Sequence, residues 1–183
     1  PMGRKLCCIC GAFAGQWAQH WNRDTGFGTC RPCVDEQIKK AGPAEVADLY
    51  QHCVRAIGHG LRFGAHGLPL MGSGDWNDGM NRVGIDGKGE SVWLAFFLYT
   101  VLGEFAGLAR ARGDAAFAAL CEAEVGRLRG NIEAHGWDGG EGSGEWYRRA
   151  YFDDGTPLGS SESPECRIDS VAQSWAVLSE IGR

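Results

Sequence analysis

The sequence predicts a mainly α-helical fold in which helices alternate with glycine-rich loops, as in part of an α/α barrel or solenoid, preceded by a small cysteine-rich module. Three observations predict it. Apolar residues recur at helical spacing in four stretches after residue 44, the 29 glycines mark many turns between them, and four cysteines form two C-x-x-C pairs before residue 34. With 44% hydrophobic and 22% charged residues, the composition is that of a globular protein. Residues 1–45 hold six basic against four acidic residues, and residues 46–183 hold twelve against nineteen. The acidic excess of the larger part argues against a nucleic-acid partner.

Residues 1–43 read as a separate module without a long helical period. Cys7, Cys10, Cys30 and Cys33 match what one tetrahedral Zn²⁺ requires, because each C-x-x-C turn offers two thiolates from one knuckle. The expectation is a structural Cys₄ zinc ribbon with Trp17, His20, Trp21 and Phe27 supplying its small core, His20 being read as a surface residue in preference to a ligand. Cys8 competes with Cys7 for the register, and a redox dithiol or four buried thiols are the other readings. No basic-then-apolar leader is apparent, and C-x-x-C pairs without one favour metal over disulfide, so a cytoplasmic location is expected.

Gly42-Pro43 breaks the chain and opens a second domain over 44–183. Val46, Leu49, Cys53 and Ile57 predict an amphipathic helix over 44–58, and the glycines from Gly60 to Gly89 predict a structured loop. A helix over Glu90–Arg112 follows. Its Val92–Gly103 stretch is too short to span a bilayer and meets Glu104, so it reads as a buried helix and no membrane segment is expected. Asp114 caps a further helix to about His135, with Phe117, Leu120, Glu124 and Leu128 on one face. Gly139–Gly144 reads as a short flexible insertion. The aromatic alternation from Glu145, ending at Asp154-Gly155, predicts a β-hairpin. A last helix covers 169–181, with Val171, Trp175 and Leu178 sharing a face.

The chemistry concentrates in Gly67-Leu-Pro-Leu-Met-Gly-Ser-Gly-Asp-Trp-Asn-Asp-Gly-Met-Asn81. A carboxylic acid beside an apolar aromatic has its pKa raised and can give a proton to a glycosidic oxygen. The indole offers a flat surface to a pyranose ring, and amides fix hydroxyls. Asp75 and Asp78 are the acid and base candidates. The same residues also fit an oxygen-rich Ca²⁺ loop or a purely structural cluster of Asx turns.

The motif from Gly67 to Gly84, with Gly-Lys-Gly-Glu-Ser-Val-Trp-Leu at 87–94, resembles the catalytic loop and following helix of glycoside hydrolase family 94. The segments 145–155 and 166–179 resemble later parts of the same barrel. The closest flavour is the C-terminal region of cyclic β-1,2-glucan synthases, with cellobiose and chitobiose phosphorylases more distant. The resemblance implies an (α/α)₆ barrel and an inverting reaction, in which Asp78 protonates the leaving oxygen while phosphate attacks the anomeric carbon from the opposite face. Phosphate is already an anion and needs no second carboxylate as base, so Asp75 is assigned to holding the loop. Trp76, Asn77 and Asp75 are expected around the sugar, and Gln173 and Trp175 on the last helix are read either as pocket residues or as part of the core. Arg148 and Arg149 are expected to meet phosphate or acidic neighbours, with at least one on a solvated hairpin face.

The implied partners are a β-glucan or disaccharide and phosphate or glucose 1-phosphate. A closed six-hairpin barrel needs about a dozen helices and four are counted, which predicts uncovered apolar faces and association with a second copy or with the remainder of a larger enzyme. Two other functions stay open: a carbohydrate-binding remnant without turnover, and a zinc-ribbon interaction protein.

Overall fold

The computed structural model describes residues 6–7, 17–22, 27–40, 47–72, 80–139 and 144–182, and the chain divides into two compact units, 1–55 and 56–183. In the first unit, strands β1 (Leu6–Cys7), β2 (Trp17–Asn22) and β3 (Phe27–Cys30) form a sheet in the order β1-β3-β2. Strand β1 runs parallel to β3 with Cys7 opposite Gly28, and β2 runs antiparallel with two register shifts.

Helix α1 (Arg31–Lys40) follows directly, although no helix is expected there from apolar period. Its signal is charge. Pro32 suits a first turn, and Glu36 pairs with Lys40 one turn on at 2.7 Å, with Lys39 and Lys40 at the C-terminal end of the dipole. The pair holds the Glu36 carboxyl below and the Lys40 ammonium above their ordinary values, mainly through the hydrogen bond between them. Helix α2 (Leu49–Gly60) begins later than the expected residue 44, because Asp48 caps it by accepting from the Gln51 N–H at 2.8 Å. Residues 44–46, with Val46, lie outside the described residues; Leu49 is exposed, and Cys53 and Ile57 are half-buried.

The second unit is built on α3 (Val92–Ala111) and α4 (Ala115–Asn131), which form the expected helical hairpin, capped at Asp114 by its acceptance of the Phe117 N–H. Helix α3 starts two residues later than predicted, because Glu90–Ser91 form strand β4 and Ser91 caps the helix. At 20 residues it is long and apolar enough to cross a bilayer by composition, but Val92, Ala95, Phe96, Leu102 and Ala109 are buried within the unit. Helix α4 gives way to a π-helical turn, Ile132–Gly136. Its buried line is Ala118, Cys121 and Leu128, whereas Leu120 is 41% exposed: small residues let α4 approach α3, and the larger apolar residue faces out.

Short strands β5 (Trp137–Asp138), β6 (Trp146–Tyr147), β7 (Ala150–Tyr151) and β8 (Pro157–Leu158) follow. The expected hairpin closes between β7 and β8 around Asp154-Gly155, with the Asp154 carboxylate accepting from the Thr156 N–H. Strand β6 instead pairs with β5, and β7 also pairs with β4. Residues 140–143, within the expected insertion, lie outside the described residues. Helix α5 (Ser170–Leu178) is capped by Asp169. It buries Ala172 and Ala176 and half-buries Val171 and Trp175, while Leu178, expected on the same face, is 65% exposed.

Candidate active site

Asp75, Trp76, Asn77 and Asp78 fall within 73–79, outside the described residues. The two stubs that carry this loop are described and converge. On the N-terminal side, Gly67 turns the chain at φ +67°, and its carbonyl accepts from the Asn131 amide at 2.9 Å. A Cβ at Gly67 would lie 2.3 Å from that amide and displace it, and the left-handed backbone angle itself favours glycine. Leu68 is fully buried, the Leu70 N–H donates to the Arg62 carbonyl, and the Met71 N–H donates to the Gly89 carbonyl. On the C-terminal side, the Val83 N–H donates to the Met80 carbonyl, and the Val83 carbonyl accepts from the Asp153 N–H. Met71 and Val83 then share one apolar cluster with Ala150, against which Met80, Phe152 and Leu158 pack.

Carboxylates organise the surroundings of both stubs. Glu90, 2% exposed, accepts from the N–H groups of His66 and Leu68 and lies 2.5 Å from His66 Nδ1. The His66 ring stacks on Tyr151 with centroids 3.9 Å apart. Asp153 accepts from the N–H groups of Asp86, Lys88 and Gly89 at 2.7–2.8 Å. These bonds, led by that from Asp86, hold its carboxyl below the usual carboxylate range. Two clefts flank the stubs. One of about 410 Å³ is lined by Arg62, Met71, Gly72 and Phe97 among others, and one of about 350 Å³ by His66, Lys88, Glu90 and Asp153.

The remaining candidates have other neighbours. Gln173 clamps β6: its Oε1 accepts from the Tyr147 N–H at 2.9 Å and its Nε2 donates to the Tyr147 carbonyl at 2.7 Å. Trp175 packs edge-to-face on Phe97 and lies 5.8 Å from the Trp93 ring. None of these partners belongs to the 67–81 motif. Arg148 and Arg149 do meet acidic neighbours, but neither lies on a solvated face, which corrects that expectation. Arg148 bonds Asp138 through Nε and Nη2, and Arg149, 1% exposed, lies 3.6 Å from Asp169. Asp138 also accepts from the Ser160 hydroxyl and the Ser161 N–H. Burial alone would raise its pKa, but these donors and the Arg148 guanidinium together bring it to about 2.

Sequence reasoning missed His66, Glu90, Asp138 and Tyr151. Glu90 alone carried a local signal, a single acid at the head of an uncharged apolar run. Among the described residues no group of three or more His, Cys, Asp or Glu side chains is placed to hold a metal ion. Of the four candidate thiolates, Cys10 and the side chains of Cys7 and Cys30 lie outside the described residues; Cys33 is buried in α1.

Residues 27–183, which include the helical hairpin, the short strands and both stubs of this motif, match the catalytic domain of the glycosyl hydrolase 94 superfamily, and the chain belongs to it. That match takes in Cys30 and Cys33. The chain is 54% identical over 139 residues to the cyclic beta-(1,2)-glucan synthase NdvB of Rhizobium meliloti (strain 1021), covering 75% of this chain and 5% of that protein. It is 40% identical over 134 residues to a solabiose phosphorylase of Paenibacillus borealis, covering 72% of this chain and 17% of the relative. With an N,N'-diacetylchitobiose phosphorylase of Vibrio furnissii the identity is 33% over 147 residues, 80% of this chain and 17% of that one. The chain thus spans less than a fifth of each of these relatives.

Proposed function

We propose that this chain contributes the acid-bearing segment of an (α/α)₆ barrel that acts on β-glucosides by inverting phosphorolysis or its reverse. Asp78 is the general acid: it gives its proton to the glycosidic oxygen as the bond to the anomeric carbon breaks, while an oxygen of inorganic phosphate forms the new bond from the opposite face. The products are a sugar 1-phosphate and the freed acceptor sugar. Trp76 supplies a platform for the ring, Asn77 a hydroxyl contact, and Asp75 a brace within the loop.

The observation that carries this reading is the 139-residue likeness to a glucan synthase at 54% identity, over a chain in which Gly67–Asn81 reproduces the required acid, indole and amide set. The test is phosphate release from glucose 1-phosphate with glucose or short β-glucan acceptors, comparing the native chain with Asp78→Asn. Release that falls at least a hundredfold in the variant is the expected outcome, and equal release from both overturns the assignment of the acid. The small share of each relative that this chain spans favours a second reading, a sugar-binding segment that turns over only with the rest of a barrel. A folded sample that binds the acceptor without releasing phosphate selects it.

For the first 43 residues we propose structural zinc. Cys7 lies opposite Gly28 in the β1–β3 register, Cys30 ends β3, and Cys33 sits in the first turn of α1, so these three fall on adjoining elements. With Cys10, they would hold one closed Cys₄ ion. Metal analysis of the purified chain decides it: one zinc per chain, lost in Cys33→Ser, is expected, and zinc-free folded protein removes the proposal.

A further inference from the structure

We propose that Glu90 and Asp153 are a pair of positioning residues, two carboxylates that grip the opposite stubs of the motif loop and thereby set where the acid is presented. The inference rests on the reading of Asp78 as that acid.

Each carboxylate gathers the backbone of one side. Glu90 accepts from the N–H groups of His66 and Leu68, with the His66 ring nitrogen as a third partner, so it fixes the turn from which Gly67–Gly72 departs. Asp153 accepts from Asp86, Lys88 and Gly89, and its own N–H donates to the carbonyl of Val83, so it fixes the return. The two grips share one dipeptide. The Gly89 N–H belongs to Asp153, the Gly89 carbonyl accepts from Met71, and the next residue is Glu90 itself. Met71 and Val83, at the two ends of the loop, are therefore referenced to the same point of the chain.

Charged acceptors make shorter and stronger bonds to N–H groups than neutral ones, which suits an N-terminal stub whose described pairing is two isolated bridges, Phe63–Pro69 and Leu70–Glu90. A proton donor displaced by about 1 Å can lose a hundredfold in rate, so a grip of this kind bears on turnover more than on overall stability. The surroundings are also shaped to the Glu90 carboxylate. A Cβ at Gly64 would sit 2.4 Å from Glu90 Cγ and Cδ, so a side chain at residue 64 would displace the Glu90 carboxylate.

Hydrogen exchange measured by mass spectrometry on the full chain tests the proposal. Peptides covering 64–72 should exchange at least tenfold faster in Glu90→Ala, and also in Gly64→Ala, which keeps the carboxylate but displaces it. Peptides covering 80–89 should do so in Asp153→Ala and recover in Asp153→Asn, which retains one acceptor oxygen. Peptides from α3 and α4 should stay within twofold of the native chain. Asp154→Asn, in the same turn with its carboxylate accepting from the Thr156 N–H, serves as the control. Unchanged exchange at the stubs, or equal acceleration in α3 and α4 in the mild variants Gly64→Ala and Asp153→Asn, overturns the proposal.

Turnover supplies the second readout. Asp153→Ala should lower kcat at least tenfold with KM for the sugar phosphate within twofold, and Asp153→Asn should restore most of it. A fall in kcat as large in Asp154→Asn also overturns the proposal. A native chain that binds the acceptor and releases no phosphate selects the reading of a segment that needs the rest of a barrel, and the exchange rates then decide the grip without catalysis.

Discussion

The helices and the strands of residues 56–183 are held by different chemistry. Helix α3 contributes eight buried residues to a core that α4 and α5 complete, and each of its contacts is one among many. The strands β4 to β8 are two residues long, too short to be stable as ladders alone. Their arrangement depends on four polar side chains, Glu90, Asp138, Asp153 and Gln173, each bonding backbone groups of another segment. Burial in the helices is distributed and tolerant. Hydrogen bonding in the strands is concentrated, so one substitution there removes several bonds at once.

The largest expected effect tests the helical half of that contrast. Phe96 is fully buried in α3, with its ring edge-to-face to Tyr147 at 4.9 Å. Phe96→Ala should cost about 3–5 kcal/mol, the lost transfer energy plus the cavity left behind. Leu120→Ala, at a residue 41% exposed, should cost under about 1 kcal/mol. Urea unfolding of the two variants measures both. A cost below about 1 kcal/mol for Phe96→Ala would show that the core repacks freely and would remove the contrast between the two halves.

The same division decided what the sequence revealed. The helices α3, α4 and α5 and the cap Asp114 were legible, because apolar period and capping residues act within one or two turns, whereas Ser91 and Asp169, which fall inside the expected helix ranges, are caps. Which face each helix buries was less so. Ala118, Cys121, Ala172 and Ala176 lie inside while Leu120 and Leu178 lie outside, because close helix approach selects small residues at the contact. The family of the site was legible from Gly67–Gly84 together with 87–94, 145–155 and 166–179, because these segments resemble it in order, whereas the residue types of the loop alone left a carboxylate pair, a Ca²⁺ loop and an Asx cluster open. Its supports were not. His66 reaches Glu90 across 24 residues, and Asp138 reaches Ser160 and Ser161 across 22 and 23, and no local pattern registers contacts at such separations.

The polar half of the contrast is sharpened by acid. Asp138 is 2% exposed and accepts from Ser160, Ser161 and Arg148, and its pKa of about 2 lies below the ordinary 3.8. A carboxyl whose pKa is depressed on folding adds stability that is fully present above the unfolded value and is lost as pH falls through the folded one. The window is therefore about pH 4 down to about pH 2, and the contribution is of the order of 2 kcal/mol. Asp138→Asn keeps the size and one acceptor oxygen but cannot ionise, so its deficit against the native chain should be constant above about pH 5 and shrink towards pH 2. Urea unfolding at several pH values measures the difference. A deficit that does not change over that range would mean that Asp138 acts through shape alone, and that the strands, like the helices, are held by packing.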